Sequence, residues 1–195
     1  NSHIDLLYLE IIWLEVNSFM INKISIYTKF GWISAFENNS KITKIKFGKV
    51  TNSIKSKVLK KFKINLINFL NKKKSKIRSP YQVKGNKNQK KIWNELKRIK
   101  IGKTKSYGEI AKKYKLSPRH VGKICGQNKL LLVIPCHRVI RSDGTLGGFS
   151  SVGGIKLKKK IIRIWTIMEI IVLQHIKVED PGYIKDLMLS DSFNL

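Results

Sequence analysis

The amino-acid sequence predicts a two-domain α/β protein, and three observations indicate this fold class. Short β-branched and aromatic runs separated by turn residues fill the first part of the chain, whereas helical periodicity dominates the second part. A polar stretch at residues 71–86, which contains Pro80 and Gly85, lies between the two parts. A chain of 195 residues fits one domain or two small ones and can bury a substantial core.

The first predicted elements are three short strands, at residues 24–28, 31–37 and 41–47. The tripeptides KFG and NNS between them have turn chemistry, so we expect a small antiparallel sheet. A helix over 53–70 should follow, because apolar residues recur there at helical spacing: Val58, Leu59, Phe62, Leu66, Ile67, Phe69 and Leu70.

Helices are expected throughout the second part. The first covers 86–99, and the next covers 107–114, where Ser106 and Glu109 have the spacing of a capping box. Ser117 followed by proline should open a further helix at 118–125. Two short helices joined by a tight turn are typical of a helix-turn-helix, although many such hairpins bind nothing. The second helix supports DNA binding because it carries three basic-type residues and no acid: Arg119, His120 and Lys123.

The charge of the chain is strongly positive, with 40 Lys and Arg against 12 Asp and Glu and a formal net charge of +28. This excess indicates a polyanionic partner, most often nucleic acid and less often an anionic membrane surface. A lysine-rich genome bias would explain part of the same excess. The apolar runs at 4–16 and 161–173 are too short or too interrupted by charge for a membrane span or a signal peptide, so we expect a cytoplasmic protein.

The two ends of the chain differ in composition from the middle. Residues 1–19 contain no Lys or Arg and three acids, and residues 165–195 contain two Lys and five acids. We therefore interpret 1–19 as a non-native leader, read through from upstream sequence or left from a fusion, and 165–195 as an atypical, non-native tail. Between them we place an N-terminal domain at 20–75, a linker at 76–85 and a C-terminal domain at 86–164.

Only two cysteines occur, Cys125 and Cys136, which supports neither a disulfide scaffold nor a metal site. Cys136, His137 and Arg138 follow directly on an apolar run that ends at a proline. Cationic or basic neighbours lower the pKa of a thiol and favour the nucleophilic thiolate. The alternatives are accidental adjacency in a loop or a buried, inert thiol.

Five features in order make the chain similar to a known family. They are SYGEIA at 106–111, RHVG at 119–122, Asn128, IPCHRVI at 134–140 and GGFSSVGG at 147–154. Together they resemble the O6-alkylguanine-DNA alkyltransferases, also called methylated-DNA–protein-cysteine methyltransferases. The resemblance implies a ribonuclease-H-like N-terminal domain and a helical C-terminal domain with a winged helix-turn-helix. It also implies a monomer that acts on double-stranded DNA containing O6-alkylguanine and needs no cofactor or metal.

By this resemblance Cys136 accepts the alkyl group, which suits a soft thiolate attacking an alkyl carbon. His137 corresponds to the base that takes the thiol proton through a water, although adjacency alone is equally typical of an exposed loop histidine. Asn128 corresponds to the asparagine that braces the turn before the cysteine, and a helix C-cap is a compatible alternative. Lys129 stands where the family commonly has proline.

The same resemblance names residues that contact the DNA or the flipped base. Tyr107 matches a tyrosine that contacts the flipped nucleotide, and its alternative is a core tyrosine. Arg119 matches an arginine finger that enters the duplex where the base left, and its alternative is a generic phosphate contact. The remaining expected DNA or base contacts are Arg138, Val139, Gly148, Phe149 and Ser150, of which Phe149 replaces a common tyrosine.

One departure from the family concerns the glutamate that orients the histidine. Counting along the chain places that glutamate at Trp165, which is where the composition changes. Glu169 lies one helical turn further on and would substitute only if the helix shifted. Without this carboxylate the imidazolium of His137 is less stabilised, so we expect the thiolate fraction and the reaction rate to fall.

We therefore predict DNA repair by base flipping and single-turnover, irreversible transfer of the alkyl group from O6-alkylguanine, and from O4-alkylthymine in a wider substrate range, to Cys136. The first alternative is a sensor that binds alkylated DNA without repairing it, which the missing glutamate favours. A generic basic helix-turn-helix protein and a Cys-His hydrolase are further alternatives. The helix-turn-helix alternative leaves the IPCHRVI stretch unexplained. For the hydrolase alternative, nothing in the sequence supplies a substrate cleft for acyl transfer.

Overall fold

A three-stranded antiparallel sheet opens the part of the chain that the computed structural model describes, residues 21–52 and 56–163. Its strands β1 (Asn22–Thr28), β2 (Gly31–Asn38) and β3 (Lys41–Phe47) are adjacent in chain order, with a register shift between Phe36 and Glu37 in the second pairing. The strands predicted from the sequence are confirmed to within two residues at each end.

Helix α1 (Lys57–Leu70) covers one face of this sheet. Its N-cap is Ser56, whose hydroxyl accepts a hydrogen bond from the Leu59 amide at 3.2 Å. The buried side of the helix belongs to the same apolar cluster as the inward residues of the strands. That side consists of Leu59, Phe62, Leu66, Phe69 and Leu70. Burying each such side chain contributes about 1.5–3 kcal/mol, so packing rather than intrinsic propensity holds this lysine-rich helix in place.

The polar connection between the two parts lies against the edge of β3. Ile42 donates its amide to the Pro80 carbonyl and accepts from the Gln82 amide, both at 2.9 Å. Further along the same edge, the Ile45 amide donates to the Lys129 carbonyl at 2.7 Å. Two segments distant in sequence therefore complete the ladder of β3, and one apolar cluster continues from the sheet into the helical part.

The helical part begins with α2 (Lys87–Arg98), which Asn86 and Gln89 cap reciprocally. After the short strand β4 (Lys105–Ser106) come α3 (Tyr107–Tyr114) and α4 (Pro118–Gly126). The Ser106–Glu109 capping box and the Ser117 cap with proline in the first turn are both confirmed. The three helices that the sequence predicted in this part are therefore present.

The segment after α4 returns to the centre of the helical part. A single 3₁₀ turn at Cys136–Arg138 leads into β5 (Val139–Ile140), which pairs in parallel with β4. The last described element is helix α5, whose described part covers 154–163 and buries Leu157 and Ile161. None of the described helices has the length and apolar character needed to cross a bilayer.

One buried carboxylate joins three of these elements. Glu95 on α2 is 1% exposed and accepts from the ammonium groups of Lys105 and Lys113, each at 2.8 Å, and from the Tyr114 hydroxyl at 3.0 Å. These contacts tie α2 to β4 and α3.

Our interpretations of residues 1–19 and 165–195, together with Trp165 and Glu169, lie outside the described residues. So do residues 53–55, the first three residues of the helix predicted over 53–70.

Candidate active site

An open cavity of about 860 Å³ lies where α3, α4, the 3₁₀ turn and the loop before α5 meet. Six of the ten site residues predicted from the sequence line it, namely Tyr107, Arg119, Cys136, Gly148, Phe149 and Ser150. None of the described residues that line it is acidic, and Arg119 and Arg141 bring positive charge to it. The charge of the lining is therefore suited to an anionic ligand.

Cys136 is presented by a tight turn that Asn128 braces. The Asn128 side-chain amide donates to the Ile134 carbonyl at 2.8 Å and to the Cys136 Sγ at 3.2 Å, while its Oδ1 accepts from the Leu130 amide at 2.9 Å. Leu132 at the tip of the turn has φ +70°, a backbone conformation that leucine rarely adopts. The Asn128 side chain stabilises this unusual turn, because it hydrogen-bonds backbone groups on both sides of Leu132.

The Cys136 thiol is 5% exposed, and its burial raises its pKa. The hydrogen bond from Asn128 and the positive charge of Lys158 act in the opposite direction. In the free protein the thiol is therefore mostly protonated at neutral pH, and these two neighbours set how much thiolate forms.

Lys158 is a buried cation beside the cavity that the sequence-based predictions did not include. It is 1% exposed, and its ammonium donates to the Val139 carbonyl at 2.7 Å, the Gly147 carbonyl at 3.3 Å and the Tyr107 hydroxyl at 3.4 Å. Burial lowers the pKa of this lysine, and the neighbouring thiolates oppose that effect. Lys158 therefore ties Val139 and Gly147 together and places a positive charge that acts on the Cys136 thiol.

Tyr107 stands at the start of α3 and lines the cavity. Burial raises the pKa of its hydroxyl to about 12, and the nearby cysteines add to the shift, so the phenol stays protonated as a hydrogen-bond donor. Gly147 lies against this ring, because a Cβ at that position would approach the Tyr107 Cε2 to 2.7 Å and its hydroxyl to 2.9 Å. A side chain at 147 would therefore push the tyrosine out of place.

His137 faces away from the cavity lining. Its side chain is 1% exposed, and among the described residues its Nε2 has no hydrogen-bond partner. Burial, with the charges of Arg138 and Lys158, lowers the pKa of this histidine to about 3. The imidazole is neutral at physiological pH. Its protonated form is disfavoured because burial and two cations act on it, and no carboxylate in the part of the chain that the structure describes counters them.

Two predicted DNA contacts occupy other places in the fold. Arg138 is buried, and its guanidinium donates to the Ile99 carbonyl at 2.7 Å, which ties the 3₁₀ turn to the end of α2. Val139 is fully buried in β5, with its carbonyl accepting from Lys158. Neither residue lines the cavity, and the hydrogen bonds described for both are made within the protein.

The wall that α4 contributes to the cavity is lined by small residues. Besides Arg119, the helix brings Gly122, Cys125 and Gly126 to the cavity. A Cβ built on Gly126 meets nothing within 4 Å, and one on Gly122 meets only the Tyr107 ring at 3.8 Å. The cavity is wide on this side because the helix carries no bulky side chain there.

Two of these features have a sequence signal that the predictions above did not use. Lys158 belongs to the run KLKKK, but helical spacing from Leu157 and Ile161 places it on the buried face of α5. Gly122 and Gly126 are spaced by four residues, which puts them on one side of α4. The described residues contain no group of three or more His, Cys, Asp or Glu side chains placed to hold a metal ion.

Comparison with known proteins gives matches for most of the described chain. Residues 87–164 match the family model of the 6-O-methylguanine DNA methyltransferase DNA-binding domain. The methylated-DNA–protein-cysteine methyltransferase of Sulfolobus acidocaldarius is 50% identical over 76 residues, which cover 39% of this chain and 47% of that protein. The enzyme of the same description from Methanocaldococcus vulcanius is 51% identical over 75 residues, covering 38% and 45%. The chain thus spans about half the length of these curated relatives.

Solved structures extend the similarity to both parts of the fold. The Mycobacterium tuberculosis OGT in complex with DNA is 25% identical, with a TM-score of 0.65 over 74% of this chain and 92% of that chain. An O6-methylguanine DNA methyltransferase from Methanococcus jannaschii is 29% identical, with a TM-score of 0.56 over 73% and 93%. The mixed α/β architecture expected from the sequence is confirmed.

Proposed function

We propose, from the match of residues 87–164 to the family model of the 6-O-methylguanine DNA methyltransferase DNA-binding domain, that this chain repairs O6-alkylguanine in DNA by transferring the alkyl group to Cys136. The observation that carries this proposal is the shared cavity of Cys136, Tyr107, Arg119 and the 147–150 loop. A cysteine alone would be weak support, but here the thiol is braced by Asn128 at the floor of a cavity with a basic rim.

The reaction is a displacement at the alkyl carbon. The Cys136 sulfur forms a bond to that carbon as its proton leaves, the bond from carbon to the guanine O6 breaks, and its electron pair goes to the base, which takes up a proton. The product thioether has no acidic proton and no leaving group, so one chain acts once. The role of the protein is to supply thiolate at the correct place and to stabilise the departing guanine.

Three described residues can assist these steps. Asn128 donates to the sulfur and favours the thiolate. Tyr107 points a protonated hydroxyl toward the cavity, and Lys158 beside it increases the donor strength of that hydroxyl. We propose that this donor faces the purine as negative charge develops on it. His137 has the chemistry of a base, but its lowered pKa makes it a poor acceptor until a carboxylate or the substrate changes its surroundings.

Access to the damaged base requires that it leave the duplex, because its O6 lies inside the base stack. Arg119 is exposed in the first turn of α4 at the mouth of the cavity. We propose that this guanidinium enters the space left by the flipped base and offsets the few kcal/mol of lost stacking and pairing. Arg138 is not proposed as a DNA contact, since its guanidinium is held by the Ile99 carbonyl.

The finer features of the fold that we propose are based on the same family match. We propose a ribonuclease-H-like unit at 20–75, a linker at 76–85 and a winged helix-turn-helix unit at 86–164, in which α4 is the recognition helix. The three-stranded sheet with α1, and the adjacent helices α3 and α4, support this division. A cytoplasmic monomer that associates with the nucleoid, and acceptance of O4-alkylthymine, are further parts of the proposal.

A sensor that binds alkylated DNA without repairing it is the second candidate. The observation in its favour is the electrostatic environment of His137, where two cations act on a buried imidazole and no carboxylate among residues 21–52 and 56–163 counters them. The presence of a braced cysteine at the cavity floor favours repair.

The experiment that separates the two is the intact mass of the protein after mixing with a duplex that contains one O6-methylguanine, followed by peptide mapping. Repair predicts one methyl group on the peptide that contains Cys136, no adduct on the Cys136→Ala variant and an unchanged adduct on the Cys125→Ala variant. Damage-selective binding without any adduct would overturn the repair proposal and support the sensor.

A further inference from the structure

The outer face of the sheet, which is the side away from α1, carries aromatic rings. Residues such as Ile24, Ile26 and Ile33 point inward and are buried, so the alternate positions point outward. The outward aromatic residues are Tyr27, Trp32 and Phe36. Tyr27 is 72% exposed, and its ring packs edge-on against Trp32 with the ring centroids 5.3 Å apart. The solvated face of an antiparallel sheet is normally polar, so exposed rings there mark an interaction surface.

Lysine side chains lie over two of these rings. The Lys49 ammonium is 5.0 Å from the Trp32 centroid, and the ammonium groups of Lys44 and Lys46 are 5.5 and 5.8 Å from the Phe36 centroid. A lysine held over a ring by cation–π attraction keeps free donors for a phosphate. The outer face therefore presents flat rings beside positive charges. We call Tyr27, Trp32, Phe36, Lys44, Lys46 and Lys49 the aromatic-basic face.

The position of Lys49 is fixed by the fold. The Ser34 hydroxyl donates to the Gly48 carbonyl at 2.5 Å, the Ser25 hydroxyl donates to the Val50 carbonyl at 2.9 Å, and the Val50 amide returns a bond to Ser25 at 2.8 Å. These outward hydroxyls hold the backbone of residues 48–50 against the sheet. Lys49 is therefore held beside Trp32 by a short, anchored segment.

The single acidic side chain within residues 21–52 is buried. Residues 21–94 contain 20 Lys and Arg and one acid, Glu37. Glu37 is 5% exposed, and its carboxylate accepts from the Asn22 side chain at 2.9 Å and the Ser40 amide at 2.6 Å. The aromatic-basic face is thus positive without local neutralisation, which matches a polyanion.

We propose that the aromatic-basic face binds single-stranded nucleic acid, with a base stacked on Tyr27 and phosphates contacted by Lys44, Lys46 and Lys49. Rings interleaved with lysines are how sheet surfaces hold unpaired strands, because only unpaired bases offer their flat sides for stacking. None of these residues lines the cavity of Cys136. This surface is therefore separate from the proposed repair site and does not depend on it.

The test is a fluorescence anisotropy titration of the full chain with a labelled oligothymidylate of about 12 nucleotides. Tyr27→Leu keeps an apolar side chain but removes the ring, and we expect it to weaken binding about tenfold. Tyr27→Phe keeps the ring and should bind like the wild type. Lys49→Gln should weaken binding more than the matched Lys60→Gln variant, since Lys60 is an exposed lysine on α1, on the other side of the sheet.

An abasic oligomer of the same length separates stacking from charge. We expect it to bind more weakly than oligothymidylate and to lose no affinity on Tyr27→Leu. Equal affinity of the two oligomers, or oligothymidylate binding that Tyr27→Leu leaves unchanged, would overturn the proposal and leave only non-specific charge. Because Tyr27 is mostly exposed, both variants should fold, and the thermal unfolding midpoint checks this. Methyl transfer to Cys136 should be unchanged in Tyr27→Leu, whichever way the titration turns out.

Discussion

The reactivity of Cys136 depends on competition among its neighbours. Burial raises the pKa of the thiol, whereas the Asn128 amide at 3.2 Å and the Lys158 ammonium lower it. Lys158 acts at a distance through its charge and also donates to the carbonyls of Val139 and Gly147. The thiolate fraction should therefore rise with pH above neutrality, and the loss of either Asn128 or Lys158 should reduce it.

Lys158→Met tests this charge directly. The substitution keeps a long apolar stem and removes the ammonium, so the pKa of Cys136 should rise and methyl transfer at pH 7 should slow. The measurement is the single-turnover rate as a function of pH, in which the variant profile should lie at higher pH. The exposed neighbour Lys159 supplies the matched variant Lys159→Met, which should behave as the wild type. Coincident profiles for all three proteins would contradict the role given to Lys158.

At the scale of secondary-structure elements, the position of α3 depends on Glu95. Its carboxylate is buried and is shared by Lys105, Lys113 and Tyr114, and hydrogen bonds from these groups lower its pKa to about 2 although burial acts in the opposite direction. A depressed pKa in the folded state means that this group stabilises the fold above the unfolded pKa of about 4.3. That contribution disappears as the pH falls toward 2.

Glu95→Gln should therefore lower the free energy of unfolding at pH 7 by about 2 kcal/mol, a value reduced from the full pKa difference because the partner lysines are half exposed. Urea unfolding of both proteins between pH 7 and pH 3 measures the effect. The difference should be constant above about pH 5 and should shrink below it. A difference that is equally large at pH 3 would show that side-chain shape, not charge, is responsible.

Helix α4 brings Arg119 to the cavity, where we proposed that it replaces a flipped base. Arg119→Ala should reduce methyl transfer from duplex DNA by more than tenfold, since the variant cannot offset the few kcal/mol that flipping costs. Reaction with free O6-methylguanine base, which needs no flipping, should change little. Lys123→Ala, which removes another exposed cation of the same helix, should weaken duplex binding without this contrast. Equal losses on duplex and free base for Arg119→Ala would refute the finger role.

At the scale of the whole molecule, the charge should dominate affinity for undamaged DNA. Each neutralised phosphate contributes a slope of about −0.9 to the logarithm of affinity against the logarithm of salt concentration. Four or more phosphate contacts would reduce affinity at least about 100-fold between about 50 and 200 mM salt. Titrations at several salt concentrations give the slope. A flat response would mean that the net charge of +28 reflects composition and not a DNA interface.

The sequence predicted the secondary-structure elements well, but it predicted only some of the contacts between individual residues. Strands, helices and caps follow from local periodicity and turn chemistry, which is why β1 to β3 and the Ser106 cap were found. Long-range pairing leaves no local pattern, so nothing indicated that residues 80–82 and 129–130 would complete the edge of β3. Arg138 and Lys158 show the same limit, because basic residues are expected at the surface and these two are buried by tertiary contacts.

The doubly completed edge of β3 bears on how the chain can be divided. Cutting the chain between the sheet and α2 would leave the Ile45 amide without the Lys129 carbonyl, and an unpaired buried amide costs about 1–3 kcal/mol. The bare strand edge would then be a template for pairing between copies. The sheet and the helical part therefore stabilise each other. A fragment of either part would lose the hydrogen bonds along the edge of β3 and would tend to self-associate. The intact chain should unfold as a single cooperative unit.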